Sequence, residues 1–377
     1  MSATTSVGLA TAQQIPSVSH IRIRLSITEL IVLAFFAYIT FAAIMFHLTA
    51  REFAIIMTLN LMTLATLVAL RRNRQRAPWL TAAADLFPAL LLLVAYRESG
   101  LLLTPDPAHH LDGVFIRWDR VLLQNHFVDV LLQAGAPWLQ HYLELAYLLC
   151  YPLVPLGVAA VHFAKPRNAT AVLCSEGVDN VTPPSWRHLP AGCRRYATPQ
   201  NAAGVLSSRR VDNVAPPSWR HLPAGCRRYS RSVVQAFDGH YRSGQAAQRA
   251  MDGFWAAVLT ATLFCYAVYP FFPLTPPRLL FADVPGPHVA PLLRQWNFWL
   301  LDHYSVQACI FPSGHVAAVT AVALAVRQHA PRLGALFLFL AVSVALATVY
   351  GRYHYTADAV AGALVGVAAY HVSKLFE

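Results

Sequence analysis

The sequence predicts an all-α integral membrane protein, a polytopic helical bundle of about six to eight transmembrane helices. Three observations carry that prediction. Hydrophobic residues make up 56% of the 377-residue chain and charged residues only 12%, where soluble domains carry about 25% charged residues. The apolar residues gather in runs of about 20, the length that crosses a bilayer as a helix. Charge is concentrated elsewhere: residues 165–249 hold thirteen Lys/Arg against four Asp/Glu, most of the net charge of +11. Outside that stretch the chain is nearly neutral, so its basicity is not the footprint of a nucleic-acid-binding fold, and no nucleic-acid partner is expected.

Residues 1–26 are polar and rich in Ser and Thr, and read as a loose tail. The first apolar run, Ile27–Phe46, follows Arg22 and Arg24. It has no clear small-residue cleavage site, so it reads as an anchor rather than a removed signal peptide. An N-terminal transmembrane region covers 27–163, with spans at 27–46, 53–70, 79–96 and 138–163. Between the last two, 97–137 mixes polar and apolar residues after Pro105 and Pro107, as an outer amphipathic segment would. Residues 164–250 form a basic insert that reads as disordered and cytoplasmic. Within it VDNVTPPSWRHLPAGCRRY (178–196) recurs at 211–229 with one change, Thr182 against Ala215. Two copies are too few for a solenoid. The C-terminal region, 251–377, carries spans at 251–272, 313–330, 333–350 and 356–374. The six cysteines form no CxxC pair, hence neither a disulfide framework nor a zinc site.

Orientation follows from Lys and Arg, which stay on the cytoplasmic side. RRNRQR at 71–76 follows the second span. Placing it inside puts 97–137 and 273–312 outside, and puts 164–250, Arg327–Arg332 and Lys374 inside. Three polar clusters then share the outer face: Thr275-Pro-Pro-Arg278, Ser313-Gly-His315, and Arg352-Tyr-His-Tyr-Thr-Ala-Asp358. In the second, Pro312 suits the first turn of a helix. The helix end that follows offers free backbone N–H groups and a positive dipole to an anion, of which phosphate is the usual one. Gly314 allows close approach, Ser313 adds a hydroxyl, and His315 stands where it could protonate a leaving oxygen. In the third, His354 and Asp358 are four apart and share a helix face. A carboxylate on one imidazole nitrogen makes the other a better nucleophile. Arg278 and Arg352 offer permanently charged forks for phosphate oxygens. No carboxylate cluster suited to Mg²⁺ stands nearby, and His109-His110 lacks further ligands, so neither metal nor cofactor is expected.

PPR, FPSGH and RYHYTAD, in that order, resemble the type-2 phosphatidate phosphatase superfamily of membrane phosphatases and phosphotransferases. The resemblance covers roughly 251–374 and is nearest to the branch containing inositol phosphorylceramide synthases; HYTAD also resembles sphingomyelin synthases. It implies a phosphatidate-phosphatase-like helical core, a site at the extracytoplasmic face, a lipid phosphate or phospholipid as substrate, and a covalent phosphohistidine. By position, His354 would be the nucleophile, Asp358 its orienting partner and His315 the general acid. Ser313, Gly314 and Arg278 would bind phosphate, with Arg352 replacing a missing family arginine. The common phosphatase pattern has a lysine where this chain has Phe271 and an arginine where it has Thr348, which favours the phosphotransferase branch. The expected setting is a bacterial plasma membrane. Two rival readings are a Ser-His-Asp hydrolase built from Ser313, His354 and Asp358, and a lipid or solute transporter using the same cluster as a binding site.

Overall fold

The computed structural model describes residues 25–74, 76–103, 111–123, 137–164, 224–282, 291–306 and 308–376. Nearly all of the polar tail, and most of the basic insert with the first copy of its repeat, lie outside the described residues. Among the described residues, six helices are long and apolar enough to cross a membrane. The protein is an all-α polytopic integral membrane protein.

Helices α1 (Ile27–Met45) and α2 (Ala50–Asn73) form an antiparallel hairpin. Each begins with a capping box: Ser26 with Glu29, and Thr49 with Glu52. These reciprocal bonds satisfy N–H groups that a helix start leaves without partners. Arg71, at the end of α2, reaches Glu29 at the start of α1 at 2.7 Å. Helix α3 (Pro78–Leu101) opens on proline, whose missing N–H costs nothing there. Its Asp85 pairs with Arg74, and the Asp85 carbonyl accepts a 2.8 Å bond from Trp255 Nε1. The 97–101 stretch continues this span, so the segment expected at 97–137 cannot begin before residue 102. The part described is α4 (Asp112–Leu123).

The single span expected at 138–163 is two helices, α5 (Pro137–Leu148) and α6 (Cys150–Phe163), bent by 61°. The cause is local. Pro152 stands in the first turn of α6, lacks an N–H for the Leu148 carbonyl and crowds it, so the helix cannot run straight through. Counted as one, this pair makes a seventh span.

Helix α7 (Ala224–Val268) is the long central member. It begins inside the stretch assigned to the insert, and its side chains are described from residue 246. A 3₁₀ turn at Tyr269–Phe271 and strand β1 (Pro273–Leu274) follow, then a one-turn helix α8 (Pro277–Leu280), α9 (Pro291–Tyr304) and β2 (Cys309–Ile310). Helices α10 (Gly314–His329), α11 (Pro331–Tyr350) and α12 (Thr356–Ser373) complete the bundle.

Helix α10 packs on α6, α7, α11 and α12. With 16 residues it is about 24 Å long, short for a bilayer core of about 30 Å. Its Ala/Val composition is apolar all round, as suits a helix enclosed by others. Gly362 and Gly366 let α12 come close: a Cβ at Gly362 would meet the Ser313 carbonyl, and one at Gly366 the Ala317 carbonyl and Thr320. We expect Gly362→Val to destabilise the protein by about 1–3 kcal/mol, read as a lower unfolding midpoint in detergent. An unchanged midpoint would mean that α10 and α12 can part without cost.

Candidate active site

The three polar clusters meet at one end of the bundle because the backbone ties them together. Strands β1 and β2 pair antiparallel, Pro273 opposite Ile310 and Leu274 opposite Cys309, which brings the chain before Arg278 beside the chain before Ser313. The Arg278 N–H donates to the Arg352 carbonyl at 2.9 Å, and the Ser313 N–H to the Asp358 carbonyl at 3.3 Å. Residues from Pro273 to Asp358 thus share one small frame.

Asp358 lies in the first turn of α12 and is fully buried; His354 precedes the helix and is nearly so. Asp358 Oδ2 lies 2.5 Å from His354 Nδ1. With the carboxylate accepting from Nδ1, the neutral ring carries its lone pair on Nε2. The His354 and Tyr353 N–H groups both donate to the Thr348 carbonyl, at 3.0 and 2.9 Å. The His315 ring stands 5.6 Å from that of His354, centroid to centroid. Tyr147 and Tyr151 flank it at 6.0 and 5.9 Å. His315, His354 and Arg278 line one open recess, together with Tyr353, Tyr96, Tyr269 and Ser305. The Arg278 guanidinium is 3.6 Å from the exposed Asp302 carboxylate and 5.7 Å from the centre of the Phe298 ring.

Other residues expected to hold phosphate are placed differently. Pro312 lies before the N-cap rather than in the first turn, because Ser313 is the cap and Gly314 the first helical residue. The fully buried Ser313 hydroxyl accepts from the Val316 N–H at 3.4 Å, and the Gly314 N–H donates to the Tyr269 hydroxyl at 3.1 Å. A buried helix start must have its N–H groups satisfied, and here protein groups meet those of Gly314 and Val316. Arg352 has φ of 61°, a left-handed conformation that costs a non-glycine residue energy. Its Nη1 donates to the Phe281 carbonyl at 3.4 Å, and its side chain is not among those lining the recess. Burial lowers its pKa, and the neighbouring Arg294 charge adds to the effect.

Several contributors escape the sequence reading. Glu144 of α5 is visible as a carboxylate in an apolar span. Its partners, Arg294 and Asn297 of α9 and Tyr353, are not. The signal available is PLLRQWNFWLL (291–301), whose Arg294, Asn297, Phe298 and Leu301 share one helical face. Asp119 of α4 accepts from the Thr356 N–H at 2.9 Å and so caps α12 from another helix. Burial pushes its carboxyl pKa up, against the pull of the N–H groups it caps. Asp119→Ala should cost about 1 kcal/mol of stability while Asp119→Asn, which keeps an acceptor, should cost much less. Thermal unfolding of the two variants side by side checks this.

Among the described residues, no three of His, Cys, Asp and Glu gather as metal ligands. The arrangement offers a nucleophilic nitrogen, a second imidazole for proton transfer and a fixed cation around one recess. A family model described as the PAP2 superfamily matches residues 245–372, about a third of the chain, and that stretch contains all three clusters. No curated protein and no solved structure matches. The family match supports an enzyme, a phosphatase or phosphotransferase of lipid phosphates, working in a bilayer.

Proposed function

We propose that this protein moves or hydrolyses a phosphoryl-linked lipid headgroup through a phosphohistidine intermediate, without a metal, in the manner of an inositolphosphotransferase. The observation that carries the reading is His354, held by Asp358, lining the same recess as His315 and Arg278. His354 Nε2 attacks phosphorus as the bond to the departing oxygen breaks, and His315 gives that oxygen its proton. His315 then takes a proton from water or an acceptor alcohol, whose oxygen attacks phosphorus as the P–N bond breaks. Water as acceptor makes a phosphatase; an inositol, sugar or lipid hydroxyl makes a transferase. Arg278 counters charge on the equatorial oxygens. Ser313 and Gly314 contribute by shaping the end of α10 and its dipole, and Arg352 adds positive charge from behind the recess.

Two features support a lipid substrate and an extracytoplasmic site. Helix α9 exposes Leu292, Trp296 and Trp299, the aromatic surface found at membrane–water boundaries. Arg327, Arg332 and Lys374 lie at the helix ends away from the recess, which supports an outer recess because Lys and Arg favour the cytoplasmic side. A serine nucleophile is disfavoured by Ser313, whose buried hydroxyl serves as its own helix cap. The transporter reading has no observation in its favour.

The test is to incubate purified protein with ³²P-labelled lipid phosphates, phospholipids and prenyl phosphates, then quench. The expected result is acid-labile, base-stable label on the protein. No label with any of them, under conditions of turnover, would overturn the covalent route.

A further inference from the structure

The turn that carries His354 is held at successive residues, and two of its holds run to a single carboxylate. Glu144 of α5 is only 1% exposed. Its Oε1 accepts from Arg294 Nη1 at 2.8 Å, and its Oε2 from Asn297 Nδ2 at 2.7 Å and from the Tyr353 hydroxyl at 2.6 Å. The Glu144 carbonyl takes a further bond from Asn297 Nδ2 at 3.0 Å. Arg294 also reaches the turn itself, through Nη2 to the Gly351 carbonyl at 3.1 Å, while its guanidinium lies 4.8 Å from the centre of the Phe298 ring. Tyr147, three residues after Glu144 and on the same face of α5, stacks on Tyr353 at 3.9 Å with 17° between the rings. One helix face therefore grips Tyr353 by both its ring and its hydroxyl, immediately before the candidate nucleophile.

We propose that Glu144 is a positioning residue: through Tyr353, and through Arg294 to Gly351, it sets where the His354 turn sits relative to His315 and Arg278. The physical reason is the cost of the arrangement. Burying a carboxylate and a guanidinium costs several kcal/mol that their attraction repays only in good geometry, and apolar side chains often hold helices together as well or better. What ions add is direction. Each bond here fixes an orientation that apolar packing would leave free, and a displacement of about 1 Å at a reacting group can cost about a hundredfold in rate. The network joins α5, α9 and the turn, so it also couples the α9 helix to the reacting histidine. This inference rests on His354 being the nucleophile.

The experiment uses full-length protein with Tyr353→Phe, Glu144→Gln and the pair together, each shown to fold by its unfolding midpoint and elution volume. Tyr353→Phe keeps the ring stack and removes only the hydroxyl. Each single change should lower kcat about tenfold, with KM within about twofold. The double variant should be about as slow as the worse single one, because both cut one chain of contacts. Arg294→Lys should recover part of what Arg294→Ala loses. A second readout needs no turnover: the rate at which diethylpyrocarbonate modifies His354, followed on its peptide by mass spectrometry, should change by about threefold or more in the folded variants while other histidines keep their rates. Wild-type kcat and an unchanged His354 modification rate in folded variants would overturn the positioning role and leave the proposed function standing. A shifted modification rate in a protein that turns over no lipid phosphate would do the reverse.

Discussion

His354→Ala should abolish the acid-labile ³²P label and lower turnover by about a thousandfold or more, since it removes the atom proposed to bond to phosphorus. The substitution leaves the frame around it in place. The turn is tied by backbone bonds from Tyr353 to Thr348 and from Arg278 to Arg352, neither of which uses the His354 ring. The fully buried Asp358 carboxylate loses its His354 partner, however, so the unfolding midpoint should fall while the variant still folds. Quenched-flow labelling beside a steady-state assay separates the outcomes: a variant that labels as well as wild type would show that another residue carries the phosphoryl group. His315→Ala should behave differently. With the nucleophile present and the proton donor gone, substrates with good leaving groups should still label the protein while ordinary esters react slowly.

Asp358→Asn carries the second largest expected effect, a fall in kcat of about a hundredfold to ten-thousandfold. The asparagine amide can still meet His354 Nδ1, but it no longer holds the imidazole with Nε2 free or stabilises a positive ring. Position 358 is fully buried, and its backbone carbonyl also receives the Ser313 N–H, which the substitution preserves. The loss should thus appear in kcat with little change in KM or in the unfolding midpoint. A variant with wild-type kcat would show that the 2.5 Å contact is a helix-end pair without a part in the reaction. Because the pair acts as a unit, adding Asp358→Asn to His354→Ala should cost little further activity.

Much of the fold is legible because hydrophobicity is read one residue at a time. Seven of the eight expected spans each correspond to one observed helix, and the boundaries of α10 differ by one residue at each end. The departures have local causes that hydropathy averages away. Pro152 breaks the 138–163 span into two helices, and Arg97–Leu101 stays helical at the end of α3. Helix α9 is hidden in the 273–312 loop when only bilayer-length apolar runs are sought. Its 14 residues are too few for a span, and Arg294, Gln295, Asn297 and Asp302 interrupt its apolar positions. At the site, the four-residue spacing of His354 and Asp358 predicts one helix face, but His354 lies before α12, so the pair meets across the helix start rather than along a helical face. Arg278 is found from its sequence motif, and it does line the recess. The placements of Ser313 and Arg352 are less legible, since the same side chain can serve a ligand or a neighbouring backbone group.

The sequence by itself determined that this chain crosses a membrane repeatedly and that three polar clusters stand at the ends of its C-terminal helices, because burial in lipid and helical period act through local composition. Tertiary structure alone decided which groups fill the end of α10, that Asp119 caps α12, and that Arg294 reaches a carboxylate 150 residues away. A hydrogen bond between distant segments depends on distances and angles fixed only when the helices have packed, and no periodicity along the chain encodes them.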